Sequence, residues 1–386
     1  FGRTGTVDWQ TTPKTATFTA ANGTGYFVDT TSGVITVNLP AGSAGNIVSL
    51  SDYAATWQTY NVTVTPNGTD KIGSLNDNAV LSTEGQSVTF VYVDSTQGWI
   101  NTMDSTSNVR GEAPFIAATG GTITTVCTDY KVHTFTGPGT FTVTAAGTPA
   151  GSTTVDYLVV AGGAGGGYRH GGGGGAGGFR QSFPNPVTGG FSITTQGYPI
   201  TVGSGGTLGT PGTPGGLGND SIFSTITSAG GGGGTSSGAP TLNAVSGGSG
   251  GGARGCGVVG SGNTPPTSPS QGNPGGNGTG VSNAGGGGGG SSQTGNNGPA
   301  CNSGGPGGNG SSTTITGSSV AYAGGGGGGA NSTGGTGGGG DGKANDGTGD
   351  AGVVNTGGAG GGGGGDTGGP GGAGGSGIVI IRYKFQ

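Results

Sequence analysis

Glycine occurs here in solid runs, at 171–175, 230–234, 285–290, 324–329, 337–340 and 360–365. A run without side chains has no apolar stripe or alternating face to bury, so neither usual pattern of secondary structure applies to it. Glycine also loses more conformational freedom on folding than any other residue. Such a region is therefore either disordered or held by its main chain. Of 386 residues, 106 are glycine, several times the average of about 7%.

Composition argues against disorder. Disordered chains are enriched in Lys, Glu, Ser and Gln and carry high net charge, whereas charged residues make up only 7% here and the net charge is -5. Collagen needs glycine at every third position with abundant proline; the solid runs and 19 prolines exclude it. The runs alternate with a second type of segment, Pro214–Gly218, Pro274–Gly278, Pro306–Gly310 and Pro370–Gly374. A flexible linker has no reason to alternate, and alternation of two types suggests stacked layers.

Helices of the polyproline-II type have three residues per turn, a rise of about 3.1 Å per residue and no internal hydrogen bonds. Their N–H and C=O groups point outward, and glycine lets neighbouring helices approach closely enough to pair them. A helix surrounded on all sides is expected to need glycine throughout, while one at the face tolerates Pro, Asn or Ala outside. The solid runs fit an inner layer and the Pro-Gly-Gly segments an outer one.

The remainder reads as strands. Segments 25–30, 34–39, 45–50, 61–66, 88–94 and 98–102 are short, rich in β-branched and aromatic residues, and separated by turn clusters, which is an all-β pattern. After a polar join, strands resume at 120–126, 131–137, 140–146 and 155–162, with further stretches at 191–203 and 221–230. The chain closes on 377–385, its most apolar strand. A lone terminal strand needs partners for its backbone and faces, and the strands before the glycine region are the expected ones. The expectation is an all-β chain with an N-terminal β-domain over 1–112 and a glycine-rich domain over 113–386. In the latter, β-sandwich strands at 117–160 and 377–386 enclose a polyglycine-II array over 161–376.

Chemistry is sparse. The two histidines, His133 and His170, belong to no nucleophilic set, and no enzyme activity is expected. GxGxxG patterns are uninformative in so much glycine. Residues 337–343 mimic a phosphate loop, but Ala344 stands where Ser or Thr is required. Asp341, Asn345, Asp346 and Asp350 offer oxygen ligands at short spacing, a weak pattern for Ca²⁺, and a solvated loop is the simpler reading. No cofactor is expected otherwise. Cys127, Cys256 and Cys301 form no metal motif; Cys256 and Cys301 could bridge two loops or stay as thiols. No basic stripe suits a nucleic acid. No run of about 18 apolar residues is present, so no membrane insertion is expected. The chain opens on Phe1 without a visible signal peptide and is expected to be a fragment or a processed product.

Residues 1–103, including GYFVDTTSGVITVNLPAGSAGNIVSLSDYA and QSVTFVYVDSTQGWINT, resemble domains of marine phage tail-fibre and related virion proteins. FTGPGTFTV, YLVVAGGAGGG, ITSAGGGGG and the terminal GGPGGAGGSGIVIIRYK resemble the glycine-rich modules that often follow. The array is similar in type to the polyglycine-II sandwiches of T-even-type fibre-tip adhesins, whose distal loops bind the receptor. It is similar also to the glycine-rich ectodomain of anaplastic lymphoma kinase-type receptors.

The resemblance implies a virion-surface or extracellular adhesin, homotrimeric within a longer fibre, whose partner is a host cell-surface glycan or outer-membrane protein. A purely structural fibre, decoration or filament protein is the alternative. Candidate receptor-binding residues are those that break the glycine runs with other chemistry. They are Tyr168, Arg169 and His170; Arg254, Val258 and Val259 in the long interruption 254–273; and Gln293, Asn296 and Asn297.

Overall fold

The computed structural model describes residues 7–105, 115–149, 151–184, 190–239, 243–279, 284–299, 303–365 and 367–386. Among them there is no helix; the chain is all-β. It divides into two compact units, Phe1–Gly111 and Glu112–Gln386.

The first unit holds β1 (Asp8–Lys14), β2 (Phe18–Thr19), β3 (Thr24–Val28), β4 (Ile35–Asn38), β5 (Ile47–Asp52), β6 (Val62–Thr65), β7 (Ala79–Leu81), β8 (Ser87–Asp94) and β9 (Gly98–Ser105). Two sheets form, ordered β1-β3-β5-β8-β9 and β2-β4-β6-β7. The chain steps between them strand by strand, so that β1, β3 and β5 stack in parallel, as do β2, β4 and β6. This is a solenoid-like coil, closed by the antiparallel strands β7 to β9. Alternation sets the faces: Ile35 and Val37 point into the core while Thr36 and Asn38 are half-exposed. Trp57 and Trp99 fill the centre with Val48, Leu50 and Val64.

The second unit holds β10 (Ile116–Thr119), β11 (Thr122–Val126), β12 (Tyr130–Phe135), β13 (Gly139–Ala146), β14 (Thr154–Val160), β15 (Phe179–Gln181), β16 (Phe191–Ser192), β17 (Gly197–Thr201), β18 (Ser221–Phe223), β19 (Ile226–Ser228), β20 (Ser311–Thr313), β21 (Val320–Tyr322) and β22 (Ile378–Lys384). One sheet runs β10-β13-β17-β18-β19 and the other β11-β12-β22-β14-β15, with β16 also on β14. The last strand lies between β12 and β14, antiparallel to both. Its unbroken apolar run follows from burial on two sides. Val379, Ile381 and Tyr383 meet Phe141, Tyr198 and Phe223 of the facing sheet. Ile378 and Ile380 face the other way, toward Ala176, Ile315 and Ala323 at the base of the glycine region.

From the sandwich the glycine region runs out and back in roughly straight segments that carry almost no strand pairing. Their backbone bonds repeat every three residues. Gly162 and Gly165 donate to Asn219 and Gly216; Gly163 and Gly166 to Gly375 and Gly372; Ala164 and Gly167 to Gly175 and Gly172. Each third of the segment thus serves a different neighbour. The segment 172–177 behaves alike: it donates to 232–235, 286–289 and 357–360, and accepts from 164–167, 249–252 and Gly326. These bonds measure 2.8–3.1 Å for Gly162–Gly167, ordinary amide geometry.

Among the described residues, the runs at 324–329 and 360–365 bond to neighbours on several sides, and Gly215 to Asn219 bonds to 231–234, 204–207 and 162–165. Two expectations fail. Gly337 and Gly338 take φ of 93° and 95° and reverse the chain at the sandwich end rather than joining the inner layer. Glycine is also not obligatory inside: Ala164 and Ala176 are fully buried there, and the Ala176 methyl joins the apolar cluster beneath the sheet.

Elsewhere the steric demand is severe. A Cβ on Gly288 would lie 1.7 Å from the Gly174 carbonyl oxygen, and one on Gly175 would lie 2.2 Å from that of Ser249. Gly288→Ala is therefore expected to destabilise the second unit by about 3 kcal/mol, the upper range for an overpacked core. Gly137→Ala, where a Cβ meets nothing within 4 Å, should change it by less than about 0.5 kcal/mol. Urea unfolding of the two variants checks the contrast.

Candidate functional site

The out-and-back path gathers turns at two ends. One end abuts the sandwich and carries 264–270, 291–293, the β20–β21 hairpin and the 337–339 turn. The far end carries 168–170, 210–213, 236–239, 254–257, 330–332, 344–346 and the residues Gly365, Thr367 and Gly368.

Several far-end turns are tied together. The Ser236 hydroxyl accepts from the Tyr168 N–H at 2.8 Å and donates to the Thr213 carbonyl at 2.7 Å. The Arg169 Nε donates to the Gly365 carbonyl at 3.2 Å. The Asp346 carboxylate accepts from the N–H groups of Thr367 and Gly368 at 2.7 and 2.9 Å. Arg254 forms a backbone bridge with Gly285, whose Cα lies against the Gly171 and His170 carbonyls. Arg254 thus sits beside the 168–170 turn. Burial, and then the neighbouring Arg169 cation, depress its guanidinium pKa. Its Nε is buried without a partner.

The tip backbone is strained. Arg169 and His170 sit consecutively in the left-handed region at φ of 48° and 51°, which costs an L-residue roughly 1–2 kcal/mol each. Arg169 is exposed, while His170 is buried with its ring over Gly365.

The other candidates divide. Val258 is exposed near this end, its N–H held by the Asn243 side chain at 3.1 Å, and Val259 is half-buried beside it. Gln293 lies at the sandwich end, where its amide oxygen accepts from the Asn309 side chain at 2.9 Å. Asn296 donates to the Pro306 carbonyl at 3.3 Å, and Asn297 accepts from the Asn277 N–H at 2.7 Å. These three amides brace outer segments, whose main-chain groups lack glycine neighbours on every side. Gln293, at the sandwich end, does not share a surface with the 168–170 turn.

The acidic cluster also disperses. Asp341 accepts from the Gly334 N–H, Asp346 from those of Thr367 and Gly368, and Asp350 pairs with Lys343. No group of three metal-ligating side chains exists among the described residues. Cys127 and Cys256 are exposed thiols; Cys301 lies outside the described residues.

A cavity of about 300 Å³, not anticipated from the sequence, opens at the sandwich end. Strand β15 forms one wall with Phe179, Arg180 and Gln181; Ser268 to Ser270 form the other. The Pro-rich part of the 254–273 interruption thus lies far from Arg254, because the chain crosses the array in between. Only its lack of glycine distinguished it in the sequence.

An all-β chain whose sandwich anchors a main-chain-bonded glycine array defines the class. The glycine-rich domain family matches residues 134–384, from within β12 to the last strand, well over half of the chain, and the protein belongs to that family. No curated protein matches the sequence.

His133 is a structural histidine. It is fully buried, with Nδ1 2.7 Å from the Gly120 carbonyl and Nε2 3.1 Å from the Tyr383 hydroxyl. Burial lowers its pKa below the usual 6.5, against the Gly120 hydrogen bond. A base depressed in the folded state takes up more protons on unfolding, so stability falls as pH drops below about 6.5. Asp156, raised by burial, acts in the opposite direction at lower pH. Thermal melts from pH 8 to pH 5 should show a decline that is flatter in His133→Gln; parallel curves would contradict the assignment.

Proposed function

We propose that this chain is a phage tail-fibre or virion-surface adhesin that presents host-binding turns on a bundle of polyglycine-II helices. The three-residue repeat of hydrogen-bond partners supports the helical reading. Three residues per turn is the polyglycine-II period, and such helices pair only outward. Each outbound segment of six residues then holds its turn about 19 Å from the sandwich.

One observation carries the functional reading. In a chain with 106 glycines, the tip places Arg169 and His170, not glycine, at consecutive left-handed positions. Strain of this kind concentrates at functional sites. Arg169 is exposed, Tyr168 half-exposed, and Arg254 stands alongside; Tyr and Arg are the residues favoured at binding hot spots. The partner on this reading is a host surface glycan or outer-membrane protein, with the chain trimeric in a longer fibre.

The test is adsorption. Labelled protein incubated with a panel of marine bacterial isolates should bind a subset, and Arg169→Gly should reduce that binding at least tenfold. Stability should stay within about 1 kcal/mol, because relief of the left-handed conformation offsets the lost Nε bond. Binding to no isolate, or equal binding by the variant, would favour the structural-fibre reading.

A further inference from the structure

We propose that the cavity between β15 and the 264–270 loop is a second binding site, for a single acidic sugar residue, separate from the far-end turns. Its volume of about 300 Å³ is at the lower end for small-molecule sites, which suits one pyranose ring. The lining combines the edges of Tyr157 and Phe179 with hydroxyls of Ser268, Ser270, Ser291 and Ser311. Serine hydroxyls both donate and accept, as sugar hydroxyls do.

Charge selects the acidic class. Among the described residues Arg180 lines the cavity and no carboxylate does. Its Nη1 donates to the Thr227 carbonyl at 3.2 Å, leaving other N–H groups of the fork for a carboxylate. The Gln181 Oε1 is buried without a partner. Rotation of that amide toward the cavity presents it to a ligand hydroxyl, which removes the penalty of an unsatisfied acceptor.

The walls are fixed in advance. The Asn263 side chain accepts from the Thr267 N–H and hydroxyl, both at 3.0 Å, and from the Gln271 N–H at 3.2 Å. Gln271, itself buried, donates to the Pro265 carbonyl at 2.8 Å and accepts from the Ala229 N–H at 2.8 Å. Across the cavity the Ser291 hydroxyl accepts from the Ser311 N–H at 2.8 Å. Two side chains thus pin a loop without regular structure, and a preorganised wall keeps the ordering penalty of binding small.

Saturation-transfer NMR and titration of the intact chain with N-acetylneuraminic acid, glucuronic acid and glucose test this. At least one acid should bind with a dissociation constant on the order of 1 mM, and glucose at least tenfold more weakly. Arg180→Met should weaken the acid at least tenfold, and Gln181→Leu severalfold; Arg169→Gly should leave it unchanged. Failure of both acids to bind would overturn the proposal, as would equal binding of glucose or an Arg180→Met variant that binds like the parent. Because the readout is a free sugar and the control is the far-end variant, this outcome is independent of the adsorption result.

Discussion

Main-chain hydrogen bonds between neighbouring glycine segments are what the second unit depends on. Folding usually offsets chain entropy by burying apolar side chains, and this region has almost none to bury. Instead each segment turns its N–H and C=O groups outward in thirds and pairs them with different neighbours, as at Gly162–Gly167. Each such bond contributes only about 1 kcal/mol net, so the array needs them in number and in register. Glycine makes that possible: at Gly288 or Gly175 even a methyl group would meet a neighbouring carbonyl.

The sandwich supplies the register. β14 launches the first segment, and β22 returns the last one to the same sheet. The array is thereby closed at both ends by a conventional core of Phe141, Tyr157, Phe223, Val379 and Ile381. The β20–β21 hairpin and Ile315 seal the other face of that sheet, where the apolar and glycine regions meet. Chemistry is displaced to the turns, since these are the places where a side chain fits. The two ends differ accordingly: one is charged at Arg169 and Arg254 and strained at Arg169 and His170, the other hydroxylated and concave at Ser268 and Ser270.

Much of this was legible in the residues. β-Branched and aromatic enrichment between turn clusters marked most strands, and the apolar 378–384 segment called for partners on both its backbone edges and its faces. The solenoid-like exchange between two sheets in the first unit was not legible, because parallel pairing is set by contacts between coils rather than by local pattern. β1 was missed since DWQTTPK is polar and mostly exposed. The run at 337–340 is chemically identical to the inner runs; its position at a reversal, which no glycine run reveals, made it a turn. Gln293 illustrates the harder problem. Direction alternates with every segment, so a loop's end of the array depends on all the preceding turns. The cavity was invisible for the same reason: Arg180, Ser268, Ser291 and Ser311 converge only through that path.

Residue-resolved amide hydrogen exchange on the intact chain tests the central claim most directly. The account predicts slow exchange at Gly172–Gly177 and Gly286–Gly290, where backbone donors are paired on several sides. Protection there should approach that of β14 and β22 and decline toward the exposed turns. Exchange across these glycines at the rate of an unstructured peptide, with the sandwich strands still protected, would contradict it.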